Sequence, residues 1–351
     1  MNALSLFSGC GGDTLGMTRA GLTVKWYSEI IPTFQASHEL NFSNSTLVGG
    51  DIRKIPDEKF AELRGHVDTI FAGFPCQSFS HGGKKDPDDP RGQLFHHFVR
   101  ATRLIEPKFI IGENVKGLTT RKTSDGGLFL DTILEAFRAI GYQCHIKVFR
   151  TDEFGVPQSR ERLLIVGSKD PIASPFPPAP QGGRRVLGDI LQFDMTGAIQ
   201  VPKELIDEAG VPDEFILKGH GEPIGTPHPY LTLKVNERGA TDKGLFTFSF
   251  GKRKSAIHCE IVDPRMCSKT LICTYDHQPR LFVAQKTPEG YFLRPYTIEE
   301  IKEIQGFPRD YKLAGDLKQQ TIQLGNAVPP PLIQAVTEWV HKVSSLAAAA
   351  T

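Results

Sequence analysis

Cys76 stands in the run Gly73-Phe74-Pro75-Cys76-Gln77-Ser78, directly after the short apolar stretch Val67 to Ala72. That stretch reads as a buried strand, which puts the thiol on a loop at a strand end. In open α/β sheets the ligand crevice lies outside the carboxyl ends of the strands. Pro75 fixes its own φ and biases Phe74 toward an extended conformation, which aims the next side chain. A free cysteine is more often just a small buried residue. Here Gln77, Ser78, Ser80 and the basic, loop-like run His81 to Asp86 surround it with turn-formers and polar groups. The expectation is a partly exposed, activated thiol that serves as a nucleophile.

Two further groups could act with it. Glu113-Asn114-Val115 closes the apolar run Phe109 to Gly112, and a carboxyl group near a thiol can protonate a substrate heteroatom as the thiol attacks. Gln158-Ser159-Arg160-Glu161-Arg162 leads into the run Leu163 to Val166. Its two arginines are expected to diverge onto opposite faces, so that at most one points straight into the site.

A second cluster reads as a cofactor site. Ser8-Gly9-Cys10-Gly11-Gly12 joins the first predicted strand to the first helix, a second strand ends at Ser28-Glu29, and Gly50-Asp51 follows a third. Glycines let a backbone approach a ligand, and an acid about twenty residues on can hold ribose hydroxyls. A glycine loop with two strand-end acids implies an adenosine-containing cofactor. Thr14 takes the third glycine's place in G-x-G-x-x-G, so the phosphate-reading fingerprint is missing and S-adenosylmethionine fits better than NAD.

These residues need a scaffold, and the first half of the chain supplies its pattern. Predicted strands at Ala3 to Phe7, Thr23 to Tyr27, Thr46 to Val48, Val67 to Ala72, Phe109 to Gly112, His145 to Phe149 and Leu163 to Val166 alternate with helices. The helices are Thr14 to Ala20, about Pro32 to Glu39, Leu94 to Ile105 and Leu128 to Ile140. The alternation implies βαβ units in an α/β fold with a doubly wound, mostly parallel sheet. It stops at Pro171 to Pro180, whose five prolines read as a boundary. Beyond it the chain is Gly- and Pro-punctuated, with β-like runs at Leu231 to Val235, Leu245 to Phe250 and Thr270 to Tyr275. Helices at Ile298 to Gln305 and Pro331 to Val343 close it, and Ala347 to Thr351 is expected to fray. The division is residues 1–170, a β-rich 181–290, and 291–346 returning to the first domain.

Composition narrows the class. With 351 residues, 39% hydrophobic, a proper core is available. No run of 18 apolar residues and no secretory signal is visible, so a soluble, cytoplasmic protein is expected. The six cysteines are too scattered for a disulfide framework, and their spacings fit no usual ligand pattern, so no metal is expected. A formal charge of +1, from 41 basic and 40 acidic residues, carries no message about nucleic acid.

Five blocks together carry a family resemblance. Leu6 to Gly12, Gly73 to Ser78, Glu113 to Val115, Gln158 to Arg162 and Gly325-Asn326-Ala327-Val328-Pro329-Pro330 occur in the order and spacing of the cytosine-C5 DNA methyltransferases, and the chain resembles that family over its whole length. The resemblance implies a Rossmann-like catalytic domain dependent on S-adenosylmethionine and a smaller target-recognition domain. It implies Cys76 as the nucleophile at C6 of a cytosine flipped out of double-stranded DNA, Glu113 at N3, Arg162 at the flipped base or catalytic loop, and Arg160 in support. Phe7, Gly9, Gly11, Glu29, Ile30, Asp51, Ile52, Phe74 and Asn326 map onto cofactor positions. Where the family usually has an aromatic against adenine, Ile30 and Ile31 stand here. Lys234, Arg238, Lys252, Arg253 and Lys254 are candidates for phosphate or guanine contacts. A monomer is expected, and the sequence leaves open whether it acts beside a cognate restriction endonuclease, as an orphan or from a phage; the alternative activity is a tRNA cytosine-C5 methyltransferase.

Overall fold

The computed structural model describes residues 1–75, 94–123, 126–172, 180, 182–226, 232–235, 246–249, 260–275 and 280–349. Cys76, Arg238, Lys252, Arg253 and Lys254 lie outside them.

The first half folds as strand and helix in turn. In chain order come β1 (Asn2–Leu6), α1 (Gly12–Arg19), β2 (Thr23–Ser28), α2 (Pro32–Asn41), β3 (Thr46–Gly49), α3 (Asp57–Ala61), β4 (Thr69–Ala72) and α4 (Phe95–Ile105). They are followed by β5 (Phe109–Val115), α5 (Phe129–Ala139), β6 (Gln143–Arg150), the two-residue β7 (Gln158–Ser159) and β8 (Glu161–Ser168). Seven strands form one sheet in the order β3-β2-β1-β4-β5-β8-β6. Pairing is parallel from β3 across to β5 and antiparallel where β8 meets β5 and β6.

Burial on both faces makes the strand text continuously apolar. Leu4, Leu6, Ile70, Ala72, Ile110 and Ile165 pack on one side with Phe60, Phe98, Ala101, Ile133 and Phe137 of α3, α4 and α5. Their neighbours Ala3, Phe71, Phe109, Ile111, Leu164 and Val166 point the other way, toward Met17 of α1 and Leu332, Ile333 and Val336 of the last helix. Period-two alternation thus builds a three-layer sandwich.

A smaller lobe is β-rich. It contains β9 (Ile199–Val201), α6 (Lys203–Glu208), β10 (Leu217–Lys218), β11 (Thr232–Val235), β12 (Phe246–Ser249), β13 (Glu260–Ile261), β14 (Ser268–Lys269), β15 (Leu281–Thr287) and β16 (Gly290–Arg294). β15 and β16 form an antiparallel hairpin at the centre of a sheet with β10, β13 and β9. Its floor is a bidentate ion pair between Arg294 and Glu300, at 2.7 Å and almost wholly buried, with the Gln285 amide oxygen accepting from Arg294 Nε. The expected strand Thr270 to Tyr275 is corrected: only Ser268–Lys269 pairs, with β7, and the residues after it run as loop and turn.

The chain ends in α7 (Ile298–Ile304), α8 (Leu317–Asn326) and α9 (Pro330–Ala349). Capping boxes start α7 (Thr297 with Glu300) and α8 (Asp316 with Gln319). The sequence pattern did not predict α8, and α9 extends through Ala347 to Ala349, which were expected to fray. A third core joins the two lobes, with Cys10, Leu271, Val283, Phe307, Tyr311, Leu324 and Ala327 among its members. Among the described residues no helix is long and apolar enough to cross a membrane.

Candidate active site

The sheet order reverses between β1 and β4. Parallel connections leave β1 toward β2 on one side and reach β4 on the other, so the loops after these two strands flank a crevice at their carboxyl ends. Those loops carry Phe7 to Gly12 and Gly73 to Pro75.

The glycine loop is wound tightly. Phe7, Gly9 and Gly11 have φ of 57°, 56° and 91°, in the region that side chains rarely adopt. Gly11 is also crowded: a Cβ there would lie 2.6 Å from the Phe42 ring and 2.9 Å from the Tyr311 hydroxyl. The loop is closed by Gly11 N–H donating to the Ser8 carbonyl at 2.9 Å. Cys10 is buried and its thiol is pushed up to about 12, chiefly by burial, so it is inert as a nucleophile.

Glu29, just beyond the end of β2, faces this loop. Its carboxylate accepts Gly9 N–H at 2.8 Å and Ile31 N–H at 2.9 Å. Burial raises its pKa, and the amide bonds oppose the shift. Ile30 beside it is 55% exposed, which leaves an apolar surface open at the edge of the crevice. In the first turn of α1, Asp13 is buried and accepts from Ser5 Oγ; burial pushes its carboxyl up to about 7.

Asp51 caps a short helical turn by accepting from Arg53 N–H at 3.1 Å, and pairs with the Arg53 guanidinium at 2.8 Å, which holds it below the usual carboxylate range. Ile52 and Phe74 are placed differently from a ligand-facing reading. The Ile52 side chain is in the core and its carbonyl accepts from Arg100. Phe74 is also a core residue, near the Phe98 ring, and its carbonyl accepts from Asn114 Nδ2 at 3.2 Å. Asn326 is exposed at the C-terminus of α8.

On the other flank, Glu113 of β5 and Arg162 of β8 form an ion pair, Oε1 to Nε 2.7 Å, with side chains only 14% and 12% exposed. Burial raises the Glu113 pKa while Arg162 and then Arg160 pull it down; the net direction is upward. Gly73 connects the two halves of the crevice. A Cβ built on it would lie 3.8 Å from Glu113 Oε2 and 3.9 Å from the Phe7 carbonyl. The chain reaches Cys76 three residues later.

Arg160 is buried, and its guanidinium donates to the carbonyls of Gly325 at 3.1 Å and Leu271 at 3.2 Å. The expected divergence of the two arginines is corrected. Residues two apart within a strand share a face, and Arg160 lies between β7 and β8 rather than within either, so only Arg162 pairs with Glu113 directly. Both cations act on Glu113, Arg162 directly and Arg160 through the field. Gln158 completes the support: its amide accepts Leu271 N–H at 2.9 Å and donates to Gln305 Oε1 at 3.0 Å. Gly325 packs so closely that a Cβ would meet Cys273 N at 2.5 Å.

The described residues of the blocks singled out in the sequence therefore meet at one crevice, and comparison with known proteins says what kind. The profile of the C-5 cytosine-specific DNA methylase family matches residues 1–342. The chain belongs to this family. The methylase is similar to the type II methyltransferase M1.HphI of Haemophilus parahaemolyticus, 30% identical over 348 residues covering 97% of this chain and 87% of the relative. It is similar to M.FnuDI of Fusobacterium nucleatum, 31% identical over 348 residues covering 97% and 94%. Among solved structures, the methyltransferase EhMeth of Entamoeba histolytica shares the fold, with a TM-score of 0.67 at 18% identity over 97% and 98% of the two chains. Sequence reasoning missed Asn114, Gln158, Gln305, Arg53 and Tyr311 as supports. Only Asn114 and Gln158 carried a signal, each lying inside a block already singled out.

Proposed function

We propose that this methylase transfers a methyl group from S-adenosylmethionine to C5 of a cytosine flipped out of double-stranded DNA. The observation that carries the reading is the Glu113–Arg162 pair, set beside Gly73 and the Phe7 carbonyl at the switch point of the sheet. C5 of cytosine is a weak nucleophile, and adding a thiolate at C6 converts the ring to an enamine. Cys76 is the residue for that addition. Glu113 delivers a proton or hydrogen bond to N3 as negative charge develops there, and Arg162 fixes its orientation. Loss of the C5 proton then restores the double bond and expels the Cys76 thiolate. The base must leave the stack, because the faces of a stacked ring are covered.

The crevice on the β1 side fits the cofactor. Each Glu29 oxygen that accepts one amide retains a lone pair for a ribose hydroxyl. Ile30 offers an apolar side to adenine, and Gly9, with open space where its Cβ would be, leaves room for close approach. Phe7, Gly11, Asp51, Ile52, Phe74 and Asn326 complete the proposed set, Ile52 and Phe74 with their side chains in the core. When bound, S-adenosylmethionine supplies the electrophilic methyl group that C5 takes up.

Residues 181–290 are the proposed target-recognition domain, whose sheet β16 completes, with Lys234, Arg238, Lys252, Arg253 and Lys254 as its candidate DNA contacts. Cytoplasmic, monomeric action alongside a cognate restriction endonuclease goes with this reading. Incubating the purified chain with S-adenosylmethionine and either duplex DNA or tRNA, then mapping 5-methylcytosine by bisulfite sequencing, tests it. Methylation of duplex DNA at a defined sequence is expected; modification of tRNA alone would overturn it.

A further inference from the structure

We propose that Tyr311 is a positioning residue for the cofactor, its hydroxyl holding the glycine loop in the shape that binds. The inference rests on the assignment of that loop to S-adenosylmethionine. Three of the five residues from Phe7 to Gly11 have positive φ; glycine adopts it freely, but at Phe7 such a backbone persists only where its surroundings over-determine it. Glu29 fixes the loop from the crevice side through Gly9 N–H. Tyr311 fixes it from behind, donating to the Cys10 carbonyl at 2.5 Å across 301 residues of sequence.

That carbonyl belongs to the Cys10–Gly11 peptide, whose N–H donates to Ser8. Both ends of the peptide plane are therefore pinned, and the plane lies between the two glycines proposed to flank the cofactor. The phenol is itself held rigidly. Tyr311 is 5% exposed and its ring meets Phe307 edge-on at 4.8 Å. The residues after it are strapped to α2, with Lys312 N–H donating to Asn41 Oδ1, Asn41 Nδ2 to the Lys312 carbonyl, and Ala314 N–H to Ser37 Oγ. α2 begins just after Glu29, so one strap references the loop and the acid to each other.

Tyr311→Phe in the full chain keeps the ring and removes the bond. Calorimetric titration should show S-adenosylmethionine and S-adenosylhomocysteine bound roughly three- to tenfold more weakly, the size of one neutral hydrogen bond. The effect should fall on KM for the cofactor, with kcat at saturating cofactor and DNA within about twofold of the parent. A purely structural tyrosine would lower the melting temperature and leave cofactor affinity alone, and that result overturns the proposal. Glu29→Gln is the control: unchanged affinity there would refute the cofactor-site reading, whereas weakening there with none in Tyr311→Phe sinks this proposal only. If Tyr311→Phe does not fold, Asn41→Ala loosens the strap and leaves the hydroxyl. Cofactor binding weakened by roughly twofold or more then supports the inference, and unchanged binding contradicts it.

Discussion

Glu29 and Glu113 stand at strand ends of the same sheet, and burial raises the pKa of both, yet their surroundings differ in kind. Glu29 is held by two backbone amides, neutral donors that fix its oxygens in place. Glu113 is held by a guanidinium at 2.7 Å with a second cation behind it. Neutral donors suit a carboxylate that only has to accept hydroxyls. At Glu113 burial raises the pKa and Arg162 and Arg160 oppose the shift, whereas at Glu29 the opposition comes from backbone amides. On the proposed reading, one sheet edge offers an acceptor for ribose hydroxyls on one flank and a proton donor to N3 on the other.

The sharpest way to break this contrast is Glu113→Gln. The amide remains polar near N3 but carries no proton to deliver, so single-turnover methyl transfer should slow by roughly two to four orders of magnitude with DNA affinity retained. A near-normal rate would make Glu113 structural. Glu29→Gln should act on binding alone. Its new NH2 faces an amide donor, and cofactor affinity should fall by roughly ten- to a hundredfold, the range for one or two hydrogen bonds to a charged group, with kcat little changed at saturation.

A third carboxyl, Asp13, is held like Glu29 by neutral donors. Among the described residues Asp13 has no cation at hydrogen-bond distance, and burial lifts it from an ordinary 3.8 to about 7. The folded protein then keeps a proton that the unfolded chain has already released, so stability falls as pH rises between these values, by at most about 1.4 kcal/mol per pH unit. Denaturant titrations from pH 5 to 8 should show that loss, and Asp13→Asn should remove its share of the slope. Parallel pH profiles for parent and variant would contradict the burial argument.

The sequence made the catalytic half legible for a physical reason. Strands covered on both faces become runs such as Thr69-Ile70-Phe71-Ala72, and the residues that break those runs at their carboxyl ends are the ones with chemistry. The other lobe hid its order. The β15–β16 hairpin sits among prolines and glycines, and the strand-like text of Thr270 to Tyr275 is not paired as strand; instead Gln158 and Arg160, more than a hundred residues earlier, bind its backbone through Leu271. Arg100 on Ile52 and Tyr311 on Cys10 were invisible for the same reason, each being a partner chosen by the fold, whereas Arg53 lies only two residues from Asp51.

The covalent route through Cys76 is tested most directly by duplex DNA carrying 5-fluorocytosine at the target position. Fluorine cannot leave as a cation, so once C5 is methylated the bond from Cys76 to C6 cannot be released. With S-adenosylmethionine present, the parent protein should form a complex that survives denaturing electrophoresis, and Cys76→Ser should form none. A complex that dissociates in denaturant, or methylation of ordinary cytosine by Cys76→Ser, would contradict the mechanism.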